Sequence, residues 1–237
     1  IDIEGYDNWL PIGDIYGVAF SGSFDGKGHS ITNLKITTSN GLRTFGLFGY
    51  AVDAEIKNLR VENASVTPSW SYEQQVGILA GYTARTTVTD CSTSGTVSGS
   101  ATYISAFHVG GLLGQIVDST VVESCYSTAA IVGEGSGLID DIQPGASVRD
   151  CYSAGSVSSG GGFAGSIMGT VENCYTISSV SSGNLFANYS GGLTTGCYYQ
   201  NAAGGPASVG SGSESGINGA DEVEMKSQAT YSGWNFE

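Results

Sequence analysis

Five cysteines recur at one position of a repeated segment, so their spacing raises the question of disulfide or metal chemistry. They are Cys91, Cys125, Cys151, Cys174 and Cys197. Equal places in a repeat argue against a scattered disulfide framework, and an odd number leaves at least one thiol without an intrachain partner. Stacked strands bring equivalent residues about 4.8 Å apart, but parallel side chains meet at poor angles for an S–S bond and do not converge on a metal ion. We therefore expect free, buried thiols that act as small apolar side chains, and no metal site.

Acid–base catalysis would need carboxylates or a basic side chain gathered on one face of a strand. Asp140 and Asp141 are adjacent in the sequence, so an extended strand would direct them to opposite faces. Asp90 and Asp150 belong to repeats that are two apart, and Lys and Arg together number eight. We therefore predict that the chain is not an enzyme, and a polysaccharide lyase or glycoside hydrolase is the least favoured function.

The two histidines and the scattered aspartates give no cofactor signal. Neither His29 nor His108 lies beside a Ser or Cys nucleophile motif, and His29 is expected to bond to backbone or loop groups. Asp14, Asp25 and Asp53 lack the ordered spacing of oxygen ligands that a calcium loop has. The sequence predicts no cofactor.

The cysteines belong to a longer series of equivalent positions, here called the anchors. Two earlier repeats carry Leu34 and Leu59 where the later ones carry Cys. Successive anchors are 25, 32, 34, 26, 23 and 23 residues apart, and a period in this range indicates a stacked solenoid. Short, β-branched and glycine-flanked segments favour strands over helices. The predicted fold is all-β: a right-handed parallel β-helix of about seven three-strand rungs, capped at the N-terminus.

A second series supports this organisation, because a Gly-Leu-x-Gly motif precedes most anchors. We predict that Gly49, Gly81, Gly114 and Gly165 occupy one corner or one close-packed strand position, through positive φ or close backbone approach. The predicted solenoid covers residues 1–200, with the cap at about 1–30. Residues 201–219 read as a Gly/Ser-rich loop or linker. Residues 220–237 read as a tail that packs on the last rung or leads to a following segment.

Alternation along a strand directs each anchor inward and the following residue outward. The late outward residues form a predicted surface ladder of Tyr126, Tyr152, Tyr175 and Tyr198. Such a ladder either stabilises the parallel strands, which is the favoured interpretation, or holds sugar rings. The residues before the anchors are mostly Asn, Asp or Ser, which suit corners with left-handed backbone.

Insertions follow the outer strands of the early repeats and gather aromatic residues. The candidate binding residues there are Trp70, Tyr72, Tyr103, Phe107 and His108. Insertions that leave one corner of neighbouring rungs lie side by side, which is where solenoids commonly bind. The favoured alternative is that these aromatics fold back and cover the core.

Composition excludes some partners. The net charge of −14 opposes nucleic acid and anionic membranes, and no apolar run approaches the length of a membrane span. A single domain of 237 residues is expected to be monomeric.

The combination of motifs resembles the GLUG repeat family of bacterial surface proteins. It is carried by the Trp9-x-Pro11-Ile12-Gly13 opening, the Gly46-Leu47-Phe48-Gly49 motif, the Asn173-Cys174-Tyr175 type of repeat and the Trp234-Asn235-Phe236 ending. The resemblance implies an extracellular or bacterial cell-surface location and an adhesin-like role. Related repeats accompany some IgA1-cleaving zinc peptidases, but this chain lacks the His-Glu-x-x-His motif. The hypotheses are an adhesion surface or rigid spacer that meets a host or matrix protein or surface glycan, and alternatively a carbohydrate-binding module.

Overall fold

The computed structural model describes residues 1–13, 17–38, 41–69, 74–98, 107–201, 207–231 and residue 234. Over these residues the chain winds into successive coils of short strands. The first three coils are β1 (Ser23–Asp25), β2 (Ser30–Thr32), β3 (Lys35–Thr38), β4 (Thr44–Phe45) and β5 (Phe48–Val52); β6 (Glu55–Lys57), β7 (Arg60–Ser69), β8 (Gln74–Gly77) and β9 (Ala80–Ala84); and β10 (Thr87–Thr89), β11 (Ser92–Ser98), β12 (Phe107–Gly110) and β13 (Leu113–Val117).

The later coils have the same order with shorter connections. They are β14 (Val121–Glu123), β15 (Tyr126–Ser127), β16 (Ala130–Glu134) and β17 (Ile139–Ile142); β18 (Ser147–Arg149), β19 (Tyr152–Ser153), β20 (Ser156–Gly161) and β21 (Ala164–Ile167); β22 (Thr170–Glu172), β23 (Tyr175–Thr176), β24 (Ser179–Asn184) and β25 (Ala187–Ser190); and β26 (Leu193–Thr195), β27 (Cys197–Gln200) and β28 (Val209–Gly212). Then come β29 (Ile217–Ala220), helix α1 (Glu222–Met225) and a 3₁₀ turn (Gln228–Thr230).

Equivalent strands of successive coils pair in parallel and form four sheets, numbered in the order in which a coil visits them. Sheet I is β1-β6-β10-β14-β18-β22-β26, and sheet IV is β5-β9-β13-β17-β21-β25-β28. Sheet II collects the anchor side of every coil, from β2 and β3 to β27 and β29. Sheet III is limited to β4, β8 and β12. This confirms the parallel β-helix, with one correction: the rungs hold three to five short strands, because sheet II is split in most coils and sheet III is added in the first three. The right-handed sense stays a prediction.

The corner before each anchor has the left-handed backbone that its residue types predicted. Seven residues have φ between 51° and 65° there: Asn33, Asn58, Asp90, Ser124, Asp150, Asn173 and Gly196. Short polar side chains and glycine tolerate this region best, because they bond locally or have no Cβ. From Asn58 onward this turn lies at the same place in each coil, which keeps the six anchors from Leu59 to Cys197 in one column. The prediction that Leu34 shares this column is wrong. Lys35 pairs with Ser65, so Leu34 lies level with Ala64, and the first coil places His29 level with Leu59.

The core is one continuous column of apolar side chains. All seven anchors lie in it: Leu34, Leu59, Cys91, Cys125, Cys151, Cys174 and Cys197 have 0 to 2% of their surface exposed. The five thiols are free, and each donates a weak hydrogen bond to the carbonyl two residues earlier, at 3.0 Å for Cys151 and 3.4 Å for Cys197. A cysteine therefore fills the position and also partners a corner carbonyl, which leucine cannot do.

The glycines of the Gly-Leu-x-Gly motif lie where backbones approach closely. A Cβ added to Gly81 would lie 2.5 Å from the carbonyl oxygen of Gln75 and 2.6 Å from the backbone nitrogen of Phe45. At Gly114 it would lie 2.6 Å from the oxygen of Gly81 and 2.7 Å from the nitrogen of Val76. Both contacts involve the region where sheets III and IV meet, so close approach explains these glycines.

The ends of the solenoid are built differently. At the N-terminus, Ile12 and Phe20 form parallel bridges to Phe48 and Ala51, and the Trp9 indole donates to the oxygen of Leu47 at 3.1 Å. At the other end, part of the predicted linker 201–219 continues the fold: β28 pairs with β25, and β29 pairs with β27. That prediction is therefore corrected, since the strands extend the solenoid beyond residue 200. Over the described residues no helix is long and apolar enough to cross a membrane.

Candidate functional site

The four predicted tyrosines follow the anchors and share one column of sheet II. Register places Tyr126 beside Tyr152, Tyr152 beside Tyr175, and Tyr175 beside Tyr198. The rings of Tyr126 and Tyr152 have centroids 4.7 Å apart and planes within 5°, and those of Tyr152 and Tyr175 are 4.9 Å apart and within 9°. The spacing equals the distance between parallel strands, so the rings of Tyr126, Tyr152 and Tyr175 lie flat on one another. We keep the name tyrosine ladder for these four residues.

The C-terminal segment covers the lower part of the tyrosine ladder. Tyr198 is buried, and Tyr231 meets its ring edge-on at a centroid distance of 5.0 Å. Trp234 lies 6.1 Å from the ring of Tyr175, and its indole nitrogen donates to the oxygen of Gly196 at 3.0 Å. Burial, with Tyr152 and Tyr231 nearby, raises the pKa of Tyr175 to about 12. Here the described part of the tail packs on the last coils, and beside it lies a groove of about 740 Å³.

Among the residues that the structure describes, no ring stacks on the upper end of the ladder. The residue above Tyr126 in the same column is Ser92, and the residue above Ser92 is Arg60. The Arg60 guanidinium turns upward, where it donates to the oxygen of Gly28 at 2.9 Å and to Ser30 Oγ at 3.2 Å. A recess of about 430 Å³ lies at this level, and it is lined in part by Arg60, Ser92 and Tyr126. We call it the ring slot. The order Arg, Ser, Tyr along the outward column was visible in the sequence, but the recess was not predicted.

Of the five predicted residues on the early insertions, the structure describes two. Trp70, Tyr72 and Tyr103 lie outside the described residues. Phe107 is half-buried and packs against the core, as the covering interpretation of these aromatics expects. His108 follows it in β12, the last strand of sheet III.

His108 lies at a step, because sheet III ends with β12 and the fourth coil adds no strand to it. Its Nδ1 is 3.2 Å from Asp140 Oδ2, and its Nε2 is 3.8 Å from Asp141 Oδ2. Ser136 Oγ donates to Asp140 at 2.6 Å, and Gln115 Nε2 donates to Asp141 at 2.7 Å. We call these five residues the step cluster. The prediction that Asp140 and Asp141 point apart is wrong, since both carboxylates reach the same imidazole.

The reason is an irregular strand: in β17 both Ile139 and Ile142 face the core, three positions apart, so strict alternation fails between them. The two aspartates therefore share the outer side. Only 15% of the Asp140 side chain and 4% of the Asp141 side chain are exposed. Burial raises the pKa of Asp140, and its hydrogen bonds with His108 and Ser136 oppose that rise. The cluster joins β12 to β17 and can hold a proton between an imidazole and a carboxylate. Sequence reasoning missed Ser136 and Gln115, for which no motif gave a signal.

Within the described part of the chain, no three or more His, Cys, Asp or Glu side chains gather in a group that could hold a metal ion. His29 is exposed at the first coil, and its backbone N–H donates to the oxygen of Gly26.

Fold and surface together define a parallel β-helix with an aromatic column on one face. In the comparison with solved structures, it resembles a chain from Bacteroides ovatus named as a candidate immunoglobulin A1 protease, with a TM-score of 0.65 and 20% identity over 95% of this chain and 76% of that one. In sequence it is 42% identical over 108 residues to halomucin of Haloquadratum walsbyi, a stretch of 45% of this chain. The match spans about 1% of the length of halomucin. No family model matches the chain.

The prediction that the chain is not an enzyme is contradicted by the first of these comparisons, because a solenoid of this shape occurs in a protein named as a candidate protease. The lack of a recognised motif therefore no longer argues against catalysis. At 20% identity the likeness shows the fold alone, so no protease activity is transferred to this chain.

Proposed function

We propose that this chain is an extracellular β-solenoid module of a long surface protein of the GLUG-repeat type, in which it acts as a rigid spacer. The observation that carries the proposal is the unbroken register of sheet I. Its seven strands have three residues each, and every neighbouring pair is aligned without a shift.

Continuous parallel pairing favours a stiff rod, because each coil pairs with its neighbours in sheets I, II and IV. Seven coils at about 4.8 Å each give a length of roughly 34 Å. The similarity to a short segment of a much longer protein agrees with a modular role. The free thiols agree with a fold that needs no oxidative step to form.

A tandem-copy experiment tests the spacer. A fluorescent reporter is displayed on cells through one, two or three copies of the module, and energy transfer to a membrane dye reports its height. A rigid spacer adds a constant height with each copy. A Gly/Ser linker of equal residue number gives the control, since its reach grows as the square root of length. Square-root growth for the module would contradict the proposal.

Adhesion through the early insertions is a second candidate function. Stretches 70–73 and 99–106 directly precede β8 and β12, and Gln74 pairs with Phe107. The two insertions therefore rejoin the fold on neighbouring strands. We propose that Trp70, Tyr72 and Tyr103 contact a host or matrix protein or a surface glycan, with Phe107 and His108 as neighbours, and that the module does so as a monomer.

Paired measurements on Trp70→Ala and Tyr103→Ala test this candidate. A binding role leaves the melting temperature unchanged and abolishes attachment to a panel of matrix proteins and glycans. Lower stability with unchanged attachment would show that these aromatics cover the core instead.

A further inference from the structure

We propose that the ring slot binds one pyranose ring of a neutral sugar, which stacks on Tyr126 and completes the column between Tyr126 and Arg60. The site goes beyond the spacer role and does not depend on it. The argument starts from the geometry of stacked rings.

Only the end faces of a ring stack are available to a ligand. The lower face of Tyr126 is covered by Tyr152, and both faces of Tyr152 are covered by its neighbours at 4.7 and 4.9 Å. Tyr175 and Tyr198 are covered by Tyr231 and Trp234. The upper face of Tyr126 is thus the part of the stacked ladder that meets the recess.

The height of the slot matches one ring. Arg60 and Tyr126 belong to coils that are two apart, which sets their backbones roughly 9.6 Å from each other. That is twice the 4.7 Å spacing of the rings below. Ser92 occupies the level between them with a short, buried side chain and forms the floor. A flat ring that lies on Ser92, at the same level of the column, would therefore continue the 4.7 Å ring spacing toward Tyr126 on one side and Arg60 on the other.

The rim supplies groups that suit hydroxyls. Asn58, Asp90 and Ser124 are corner residues of three successive coils, and they line the recess beside Arg60. Amide, carboxylate and hydroxyl groups beside a guanidinium offer both donors and acceptors, while the aromatic ring offers an apolar face. A pyranose matches both features, because it has apolar C–H groups on its faces and hydrogen-bonding hydroxyls at its edge.

Charge selects against anionic rings. Asp90 lies on the rim, Glu62 Oε1 lies 3.9 Å from the Arg60 guanidinium, and the chain has a net charge of −14. At short range this negative potential would repel nucleotides and sugar acids, which are anions. A neutral hexose is not repelled, which is why the proposal is limited to that class.

Saturation-transfer NMR and calorimetric titration with the methyl glycosides and β-1,4-linked disaccharides of glucose, galactose and mannose test the proposal. At least one of these probes should receive saturation at its ring C–H protons from the aromatic resonances. Tyr126→Ala should weaken its binding roughly tenfold or more, whereas Tyr126→Phe should retain it.

Ser92→Tyr is the sharper variant, because it fills the slot with the ring that the column lacks. It should abolish binding while keeping or raising the melting temperature. Ser156→Tyr is the matched control: it adds a tyrosine at an exposed position of sheet II away from the slot, and binding should persist.

Three outcomes would overturn the proposal. They are the absence of saturation transfer to every probe, binding that survives Ser92→Tyr, and preferential binding of adenosine or glucuronic acid in the same assay. In the second of these cases, loss of binding in Trp70→Ala would place the sugar on the early insertions. None of these results changes the expected height increments of the spacer test.

Discussion

The first three coils and the later ones solve the same packing problem with different residues. The early coils add sheet III and place Ser30, Arg60 and Ser92 in the outward column, and the anchor of the second coil is Leu59. The later coils drop sheet III, carry cysteine and place tyrosine there. The loss of sheet III and the change from Ser92 to tyrosine fall between the third and fourth coils, and both the ring slot and the step cluster lie at that boundary. A uniform solenoid presents flat faces, so recesses and buried charges arise where one type of coil meets the other.

The largest expected effect concerns the backbone contact between sheets III and IV in the early coils. Gly114→Val should lower the free energy of unfolding by about 3 kcal/mol or more, because the new Cβ would lie 2.6 Å from the oxygen of Gly81 and 2.7 Å from the nitrogen of Val76. Thermal unfolding should show a loss of roughly 6 °C or more.

Gly5→Ala is the control for this measurement, since no atom lies within 4 Å of a Cβ at Gly5. A melting temperature within about a degree of the wild type for Gly114→Val would show that the two sheets can separate at no cost.

The anchors allow the early and late cores to be compared directly. Leu59→Ala removes a fully packed side chain and should cost about 2–5 kcal/mol, whereas Cys151→Ala removes a single sulfur and should cost about 1 kcal/mol. Urea unfolding of both variants measures the difference. Equal costs would mean that the thiol hydrogen bond to the Arg149 carbonyl contributes as much as the extra leucine carbons.

The step cluster should stabilise the boundary itself. His108→Ala should cost about 1–3 kcal/mol, because it leaves the buried Asp140 and Asp141 carboxyls without the imidazole. His29→Ala, at an exposed position of the first coil, should stay within about 0.5 kcal/mol. If both histidine variants unfold alike, the cluster does not hold β12 to β17.

The late thiols should also make stability depend on alkaline pH. Burial raises the pKa of Cys197 to about 11, and burial likewise raises the pKa values of Cys125, Cys151 and Cys174. In the unfolded chain these thiols ionise near pH 8.5, so their contribution is complete below that pH and is lost as the pH rises toward the folded pKa. Each thiol should remove about 1.4 kcal/mol of stability per pH unit in that window.

Cys197→Ala isolates the contribution of one thiol to this pH dependence. Between pH 9 and about pH 10.5 its free energy of unfolding should fall less steeply than that of the wild type, by about 1.4 kcal/mol per unit. Parallel slopes for the two proteins would indicate that Cys197 ionises in the folded state. Thiol titration of the native protein at pH 7.5 should meanwhile show little reaction, since all five thiols are buried.

The sequence alone determined the solenoid, the column of anchors from Leu59 to Cys197 and their corners, because each depends on residues within one repeat or on the next repeat. Leu34 was placed in that column wrongly, because its local motif matches the anchors while its register does not. Period-two alternation separated Cys151 from Tyr152, and the short polar residue before each anchor marked the left-handed corner. These signals lie within one repeat, and they recur in the successive repeats that stack on one another.

Tertiary structure decided what happens where repeats differ in length. The shared side of Asp140 and Asp141 follows from an irregularity in β17, and their partner His108 comes from the previous coil, 32 residues earlier. The cover over Tyr198 comes from Trp234, which meets Gly196 from 38 residues away. The ring slot needs Arg60, Ser92 and Tyr126 in register across two insertions of unequal length. Periodicity in the sequence does not encode such registers, because the length of an insertion changes the spacing without changing the pairing, and only the packed coils fix which side chains meet.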